Sequence, residues 1–263
     1  MAENYLNDLF DLKGKVAVLF GGTGELVSAI GAGFAGAGMK VVLGGRDAVK
    51  AQRRMEAIQE AWPGSEILFC QGEVHRREDI EKTLESTLSH FGQVDVLVNG
   101  AGVNSPTPFF DISEEEFQRI VDINLRGVML GCQVFGKHFV EAGRPASIIN
   151  ITSISSRIPL SRVFTYCATK AAVLNLTLNL AREWAAQGIR VNALTPGFFP
   201  AEQNRKILTP ERTSQILGRT PMGRFGEAHE LTGAALLLAS SRAGSFITGE
   251  ELVVDGGFSA MAL

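Results

Sequence analysis

The chain has 263 residues, a mass of 28.3 kDa and 45% hydrophobic residues, a size that suits one large α/β domain with a sizeable core. Its net charge of −3 and pI near 5.9 argue against a nucleic-acid partner, and no apolar run reaches the ~18 residues of a membrane span. Cys70, Cys132 and Cys167 are too few and too scattered for a disulfide framework or a metal site. We therefore expect a reducing, cytoplasmic location and no bound metal.

Strands and helices alternate along the chain. Short apolar and β-branched runs predict strands at residues 15–20, 40–43, 66–70, 94–98, 147–151, 190–194 and 251–254. The stretches between them predict helices at residues 26–36, 47–61, 77–91, 113 to about 140, 163–187, 209–217 and 228–239. Residues 1–11 precede the first strand and are expected to form a loose N-terminal segment.

This alternation predicts an α/β fold. Strands separated by helices imply right-handed crossovers and a parallel sheet that is covered on both faces. We expect a single-domain Rossmann fold over residues 1–263, with a doubly wound parallel sheet flanked by helices. Ligands of such sheets bind beyond the carboxyl ends of the strands, where the sequence places a glycine turn, Asn99, Ser153 and Thr195.

Two glycine-rich turns predict a nucleotide site. The first follows the first strand and opens a helix, where glycines allow a tight turn and bring backbone close to a pyrophosphate. The second follows the fourth strand and offers bare backbone to an adenosine or ribose. The predicted cofactor-binding residues of these turns are Gly21, Gly22, Thr23, Gly24, Leu26, Asn99, Gly100, Ala101 and Gly102.

The end of the second strand bears on the choice of cofactor. NAD sites place a carboxylate at this strand tip to bind the ribose 2′-hydroxyl, whereas an arginine accommodates the 2′-phosphate of NADP. Gly45 occupies the tip and Arg46 follows it. A guanidinium suits a phosphate, so NADP(H) is favoured, and NAD(H) stays open because Asp47 is close enough to reach the ribose.

Tyr166 and Lys170 are four residues apart in a predicted helix and therefore share one face of it. Proton transfer to a carbonyl needs an acid whose pKa lies near the working pH. The pKa of a free tyrosine, near ~10, is too high, and a neighbouring ammonium lowers it. The pair therefore predicts a proton donor for a carbonyl group, with the Ser153 hydroxyl 13 residues ahead of the tyrosine as its partner.

Taken in order, these motifs resemble the short-chain dehydrogenase/reductase family. They are the glycine turn, Asn-Gly-Ala-Gly, Asn124, Ser153, Tyr-x-x-x-Lys, Thr195-Pro-Gly197 and Asp255-Gly-Gly257, and they span about residue 12 to the C-terminus. The resemblance implies an oxidoreductase that interconverts a secondary alcohol and a ketone by hydride transfer with a nicotinamide cofactor. It also implies a homotetramer built through two long helices and the last strand.

The resemblance assigns roles to individual residues. Tyr166 is the implied acid/base, Ser153 polarises the substrate carbonyl, Lys170 binds the nicotinamide ribose and lowers the tyrosine pKa, and Asn124 holds a proton-relay water. Tyr166 and Lys170 count among the cofactor-binding residues as well. Further implied cofactor contacts are Glu73 and Val74 near the adenine, and Pro196, Gly197 and Phe198.

Three residues depart from the family's Thr-Gly-x-x-x-Gly-x-Gly fingerprint. Phe20 replaces the threonine, Glu25 replaces the second glycine and Val27 replaces the third glycine. Gly24 lies one position before the expected second glycine and could take its place. Glu25 is expected either to place a carboxylate near a pyrophosphate, which like-charge repulsion disfavours, or to point outward or cap the helix instead. Val27 is expected to crowd the helix against the strand beneath it.

The segments after Gly197 and Thr220 and the last glycine pair resemble a sugar-acid branch, D-mannonate oxidoreductase or fructuronate reductase. A guanidinium near the site suits the carboxylate of such a substrate. The predicted substrate-binding residues are Ser153, Arg157, Arg162, Gln203, Asn204 and Arg205, and the expected partner is a small hydroxy or keto compound.

Two alternatives stay open. Apolar side chains near the site favour an acyl substrate and thus a 3-oxoacyl-thioester (acyl carrier protein) reductase; they are Phe198, Phe199, Ile158, Leu160 and Phe164. The altered glycine turn is compatible with a nucleotide-sensing or scaffold protein with little turnover. The presence of Ser153, Tyr166 and Lys170 together argues against this second alternative.

Overall fold

The computed structural model describes residues 2–201 and 208–261. Within them, seven parallel strands form one sheet in the order β3-β2-β1-β4-β5-β6-β7. The predicted doubly wound parallel sheet is confirmed. The strands are β1 (Val16–Phe20), β2 (Lys40–Gly45), β3 (Ile67–Gln71), β4 (Val96–Asn99), β5 (Ala146–Ile151), β6 (Ile189–Pro196) and β7 (Glu251–Val254).

Helices cover both faces of the sheet. They are α1 (Ala2–Phe10), α2 (Glu25–Gly36), α3 (Ala48–Ala61), α4 (Arg77–Phe91), α5 (Glu114–Val121), α6 (Gly127–Ala142), α7 (Phe164–Trp184), α8 (Pro210–Gly218) and α9 (Thr232–Ala239). Alternate residues of β1 point to opposite faces: Leu19 joins an apolar cluster with α2 and α9, and Val18 joins one with α4, α6 and α7. No helix in the described part of the chain is long and apolar enough to cross a membrane.

The N-terminal segment differs from the prediction. Residues 1–11 were expected to be loose, but Ala2–Phe10 form α1. The Ser240 hydroxyl donates to the carbonyl of Phe10 at 2.7 Å, and the Arg242 guanidinium donates to the carbonyl of Asp8 at 2.6 Å. These bonds satisfy carbonyls at the end of α1 and hold it against the C-terminal part of the fold.

The predicted helix from residue 113 to about 140 is interrupted. Ser113 caps α5 by accepting a hydrogen bond from the backbone nitrogen of Glu116 at 3.1 Å. A π-helical segment, Asp122–Arg126, then separates α5 from α6. Segments of this kind occur frequently at functional sites, and this one carries Asn124. Residue periodicity does not reveal such a local change in winding.

Candidate active site

A cavity of about 720 Å³ lies beyond the carboxyl ends of the strands. Its walls come from the turns after β1 to β6 and from α7 and α8. The volume falls in the range of small-molecule and cofactor sites. The location is the one at which doubly wound sheets bind their ligands.

Gly21 shapes the turn between β1 and α2, with a φ of +81°. A Cβ atom there would lie 2.6 Å from the backbone nitrogen of Ala101, so any other residue would force the turns after β1 and β4 apart. Gly24 is the N-cap of α2, and the exposed N–H groups of a helix N-terminus bind anions. The turn therefore fits the pyrophosphate of a dinucleotide.

The two departures from the fingerprint in α2 have different consequences. Val27 is 5% exposed, and its Cγ2 occupies the space that a Cβ atom would need at Gly100. The expected crowding is thus relieved by the glycine of the β4 turn. Glu25 lies in the first turn of α2 and lines the cavity, where the helix N-terminus stabilises a carboxylate and a bound phosphate would compete with it.

The end of β2 brings a guanidinium to the cavity. Arg46 lines it beside Gly45 and Asp47. The Asp47 carboxylate accepts a hydrogen bond from the backbone nitrogen of Lys50 at 2.9 Å and so caps α3. The carboxylate is engaged in capping the helix, and Arg46 is available for an anionic group of a ligand.

Ser153, Tyr166 and Lys170 all line the cavity. Tyr166 and Lys170 are one turn apart on α7, with the Lys170 ammonium 5.6 Å from the centre of the tyrosine ring. Lys170 is 3% exposed, and its Nζ donates to the carbonyl of Ile151 at 2.7 Å. This bond ties α7 to the end of β5 and keeps the three side chains on one wall.

In the protein alone, burial determines the direction in which the pKa of Tyr166 is shifted. Burial raises the pKa of Tyr166 above its usual value, and a hydrogen bond with Ser153 only partly lowers it again. Burial also lowers the pKa of Lys170 to about 8. Within the protein alone, loss of hydration outweighs the hydrogen bond with Ser153 and keeps the pKa raised, so Tyr166 is a protonated donor at neutral pH.

Asn124 is fully buried next to this wall. Its Oδ1 accepts a hydrogen bond from the backbone nitrogen of Val103 at 2.8 Å, and its Nδ2 donates to the carbonyl of the same residue at 2.9 Å. A Cβ atom at Gly102 would lie 3.6 Å from Asn124 Oδ1 and 3.7 Å from Lys170 Nζ. Asn124 therefore holds the β4 turn beside Lys170, but it does not itself line the cavity.

The sequence model of the family described as enoyl-(acyl carrier protein) reductase matches residues 26–259. This match covers most of the chain, begins just after the glycine turn and includes Ser153, Tyr166 and Lys170. The chain belongs to the short-chain dehydrogenase/reductase family. It is an NAD(P)-dependent oxidoreductase that acts on CH–OH groups.

Similar proteins differ in their substrates. The chain is 38% identical over 251 residues to 3beta-hydroxysteroid dehydrogenase 1 of Eggerthella lenta, with 95% of each chain covered. It is 34% identical over 256 residues to gluconate 5-dehydrogenase of Gluconobacter oxydans, covering 96% of this chain and 97% of that one. A crystal structure of gluconate 5-dehydrogenase from Burkholderia cenocepacia in complex with NADP and tartrate has a TM-score of 0.91, 31% identity, and coverage of 98% of this chain and 100% of that one.

Most of the predicted cofactor-binding residues of this short-chain dehydrogenase/reductase line the cavity. Two do not: Gly22 packs against β2, where a Cβ atom would lie 2.9 Å from Leu43 Cδ2, and the buried Asn99 side chain donates to Asn150 Oδ1 at 2.9 Å in the interior. Those that line it are Gly21, Thr23, Gly24, Leu26, Arg46, Glu73, Val74, Gly100, Ala101, Gly102, Tyr166, Lys170, Pro196, Gly197 and Phe198.

Of the predicted substrate residues that the structure describes, Ser153 alone lines the cavity. Arg157 forms an ion pair with Glu251 instead, and Arg162 lies in an exposed turn with a φ of +63°; neither lines the cavity. Gln203, Asn204 and Arg205 lie outside the described residues. Of the apolar residues predicted for an acyl substrate, Leu160, Phe198 and Phe199 line the cavity, whereas Ile158 and Phe164 do not.

Sequence reasoning missed Arg212, which lines the cavity from the first turn of α8. Thr209 and Pro210 are recognisable signals of a helix start, but they do not tell which face of a short helix turns toward a ligand. Within residues 2–201 and 208–261, the carboxylates that line the cavity belong to the half built by β1 to β3; they are Glu25, Asp47 and Glu73. Among the described residues of the other half, only Tyr166, Lys170 and Arg212 are ionisable.

Proposed function

We propose that this enzyme interconverts a secondary alcohol and a ketone in a small hydroxy acid, with sugar acids such as D-mannonate and D-fructuronate as the substrate class. The observation that carries the proposal is Arg212. Lys170 is already hydrogen-bonded to Ile151, so Arg212 is the cation available to a substrate among the described residues of the catalytic half of the cavity. A guanidinium pairs with a carboxylate through two parallel hydrogen bonds.

The position of α8 supports this assignment. It follows β6, which adjoins β5 in the sheet, whereas the β2 tip with Arg46 is four strands away from β6. At a strand spacing of about 4.8 Å the two cationic residues belong to opposite ends of the cavity. Buried Ile216 anchors α8, and the nearby backbone nitrogen of Met222 donates to the carbonyl of Gly256 at 3.2 Å. Arg212 thus stands on an anchored helix on the side of Ser153.

Ser153, Tyr166 and Lys170, which share one wall of the cavity, have different roles in the reaction. A nicotinamide cofactor held by the glycine turn and Arg46 would supply or accept the hydride when bound. The Ser153 hydroxyl and the protonated Tyr166 phenol donate hydrogen bonds to the carbonyl oxygen, and Tyr166 delivers the proton as the alcohol forms. Lys170 and the turn held by Asn124 border the place where the nicotinamide ribose would lie, from which a proton can return to Tyr166.

NADP(H) is the proposed cofactor, with NAD(H) as the less favoured one. Arg46 lines the cavity at the tip of β2, and Asp47, the carboxylate that would select NAD, is engaged in capping α3. The related gluconate 5-dehydrogenase from Burkholderia cenocepacia was crystallised with NADP. An arginine at this position accommodates the 2′-phosphate.

A second candidate is a 3-oxoacyl-thioester reductase. Leu160, Phe198 and Phe199 give the catalytic half of the cavity an apolar lining, and the matching family model carries an acyl carrier protein reductase description. An acyl chain suits such a surface. The sugar-acid proposal is favoured because Arg212 lines the catalytic half of the cavity, where a small acid brings its own carboxylate, whereas the phosphates of an acyl thioester lie at the far end of the pantetheine arm from the carbonyl.

A homotetramer is the proposed assembly. Large apolar side chains are exposed on the two helices that form the implied interface and on the last strand, which is an edge of the sheet. These residues are Met129 and Val140 on α6, Phe164 and Leu178 on α7, and Val253 on β7. Exposed apolar patches and unpaired edge strands mark interaction surfaces. Light scattering that gives a mass of four chains supports the assembly, and a monomer contradicts it.

The substrate proposal is tested with a matched pair of ketones. D-fructuronate and D-fructose differ in a carboxylate that replaces a hydroxymethyl group, so NADPH oxidation by both, and by acetoacetyl-CoA, isolates the contribution of the charge. We expect Arg212→Gln to raise KM for fructuronate by about 10- to 100-fold, from the loss of hydrogen bonds to a charged group, and to leave fructose unaffected. Arg162→Gln, outside the cavity, is the control.

Each outcome of this assay separates the candidates. Reduction of acetoacetyl-CoA without reduction of fructuronate would replace the sugar-acid proposal with the acyl-thioester one. Binding of NADPH without oxidation by any of the three would point to another ketone substrate or to a nucleotide sensor with little turnover. Equal losses for fructuronate and fructose in Arg212→Gln would show that Arg212 does not recognise the carboxylate.

A further inference from the structure

Glu251, the first residue of β7, holds a buried carboxylate outside the cavity. Its side chain is 5% exposed. Oε1 accepts hydrogen bonds from Thr195 Oγ1 at 3.0 Å and from Ser156 Oγ at 3.3 Å, and Oε2 forms the ion pair with the Arg157 guanidinium. A buried carboxylate is costly unless it is paired and hydrogen-bonded. Here all three partners lie on β6 or on the segment that follows Ser153.

The partners of Glu251 continue to both sides of Ser153. Thr195 Oγ1 is 2.5 Å from Thr152 Oγ1, the residue before Ser153. On the other side, the single hydroxyl proton of Ser156 is shared between the carbonyl of Ser153 at 2.6 Å and, at the longer distance of 3.3 Å, Glu251 Oε1. The Ser153 hydroxyl itself accepts from the backbone nitrogen of Ser155 at 3.2 Å. Glu251 is thus connected to the backbone that carries the catalytic serine through two separate routes.

The ionised carboxylate sets the direction of the hydrogen bonds. A carboxylate only accepts, so the single hydroxyl proton of Thr195 is given to Glu251. Thr195 must then accept from Thr152, which fixes the proton of that hydroxyl too. A glutamine at position 251 has only one accepting oxygen, so it would serve either the hydroxyl side or Arg157, and its NH₂ group would face a donor.

We propose that Glu251 and Arg157 are positioning residues for Ser153. The Arg157 guanidinium compensates the buried negative charge of Glu251. The hydrogen bonds that the ionised Glu251 accepts keep residues 152–156 in the conformation that directs the Ser153 hydroxyl toward Tyr166. The role concerns the carbonyl-binding wall of the enzyme and is independent of the identity of the substrate. It also accounts for the placement of Arg157 away from the cavity.

The kinetic test compares Glu251→Gln, Arg157→Gln and Arg157→Lys with the wild-type holoenzyme. The assay follows NADPH oxidation with D-fructuronate. If fructuronate is not reduced, the neutral diketone 2,3-butanedione replaces it, so that a failure of the sugar-acid proposal is not mistaken for a failure of this one. We expect kcat to fall about 10- to 100-fold in Glu251→Gln, with an unchanged Kd for NADPH and partial recovery in Arg157→Lys relative to Arg157→Gln. Arg224→Gln, which breaks the exposed ion pair with Glu230, is the matched control and retains activity.

Combination with Ser153→Ala distinguishes positioning from general stability. If Glu251 acts through Ser153, Glu251→Gln has no further effect on kcat once the serine hydroxyl is removed. If the loss of kcat in the double variant equals the product of the losses in the two single variants, the proposal is overturned. A loss of NADPH affinity that parallels the loss of kcat would overturn it as well. If Glu251→Gln does not fold, the two Arg157 variants in the Ser153→Ala background give the same comparison.

A spectroscopic readout needs no turnover. The chain has two tyrosines, so in a Tyr5→Phe background labelled with ¹³Cζ-tyrosine the remaining signal belongs to Tyr166. Ser153→Ala should shift this resonance through loss of the hydrogen bond. Glu251→Gln should shift it in the same direction and Arg224→Gln should not. An unmoved resonance in Glu251→Gln would overturn the proposal.

Discussion

The Cγ2 methyl group of Val27 fills the space that a Cβ atom would need at Gly100. A valine that looks disruptive in the glycine fingerprint is therefore matched by a glycine in the turn after β4. Val27 is 5% exposed and belongs to the apolar cluster of α2. The packing of α2 on the sheet is thus retained with a different distribution of small and large residues.

Gly100→Ala should destabilise the protein by about 1–3 kcal/mol, the usual cost of overpacking. The added Cβ atom would overlap Val27 and approach Ile151 Cγ1 at 3.2 Å and the carbonyl of Phe20 at 3.3 Å. Val27→Ala in the same chain should recover part of this loss, because contacting residues are not additive. Urea unfolding of the single and double variants measures the coupling.

Gly233→Ala is the control, since a Cβ atom at this helical position meets no heavy atom within 4 Å. Strict additivity of Gly100→Ala and Val27→Ala would show that the two side chains do not compete for space.

Arg46→Ala should weaken NADPH binding and leave NADH binding nearly unchanged. The guanidinium borders the cavity at the β2 tip, and loss of hydrogen bonds to a charged group costs about 1.5–3 kcal/mol, or about 10- to 100-fold in Kd. Fluorescence titration with both nucleotides measures the effect. Arg53→Ala, on the exposed face of α3, should change neither Kd, and an equal loss for NADPH and NADH in Arg46→Ala would exclude a 2′-phosphate contact.

Lys170→Met should change the pH dependence of folding. Burial lowers the pKa of Lys170 from 10.5 to about 8, so between these values the unfolded chain binds a proton that the folded chain has lost. Lys170 therefore makes the free energy of unfolding increase with pH above pH 8, by up to about 1.4 kcal/mol per pH unit. This increase is lost as the pH falls through 8.

Urea unfolding of both proteins between pH 7 and pH 9.5 checks this effect. This pH range stays below the one in which Tyr166, with its raised pKa, would make the free energy of unfolding decrease with pH. The plot of the free energy of unfolding against pH should be less steep for Lys170→Met than for the wild type, by an amount equivalent to the uptake of up to one proton on unfolding. Parallel curves would mean that Lys170 is not desolvated in the folded protein.

Much of the fold follows from the sequence because the relevant signals are local. Apolar runs separated by helical stretches predict strands and crossovers, and the four-residue spacing of Tyr166 and Lys170 places both on one face of α7. The carboxyl ends of parallel strands meet at one edge, so the positions of Gly21 and Ser153 at the cavity were predictable as well.

The errors arise where distant residues decide. Arg157 follows β5, close in sequence to the cavity, but Glu251 lies 94 positions later and pairs with it. Asn99 was predicted to be a cofactor-binding residue of the β4 turn, but its side chain is hydrogen-bonded to Asn150 of the neighbouring strand in the core. Arg212 lines the cavity from α8, and residues after that helix are hydrogen-bonded to the segment after β7. The pKa direction of Tyr166 depends on burial, which no spacing in the sequence measures.

The central claim is that Tyr166 delivers the proton in a nicotinamide-dependent ketone reduction. The most direct measurement pairs NADPH binding with NADPH oxidation by D-fructuronate in wild type, Tyr166→Phe and Cys167→Ser. We predict that Tyr166→Phe binds NADPH as the wild type does and loses about 10²- to 10⁴-fold in turnover, while Cys167→Ser keeps its activity. Turnover of Tyr166→Phe at the wild-type rate would contradict the account.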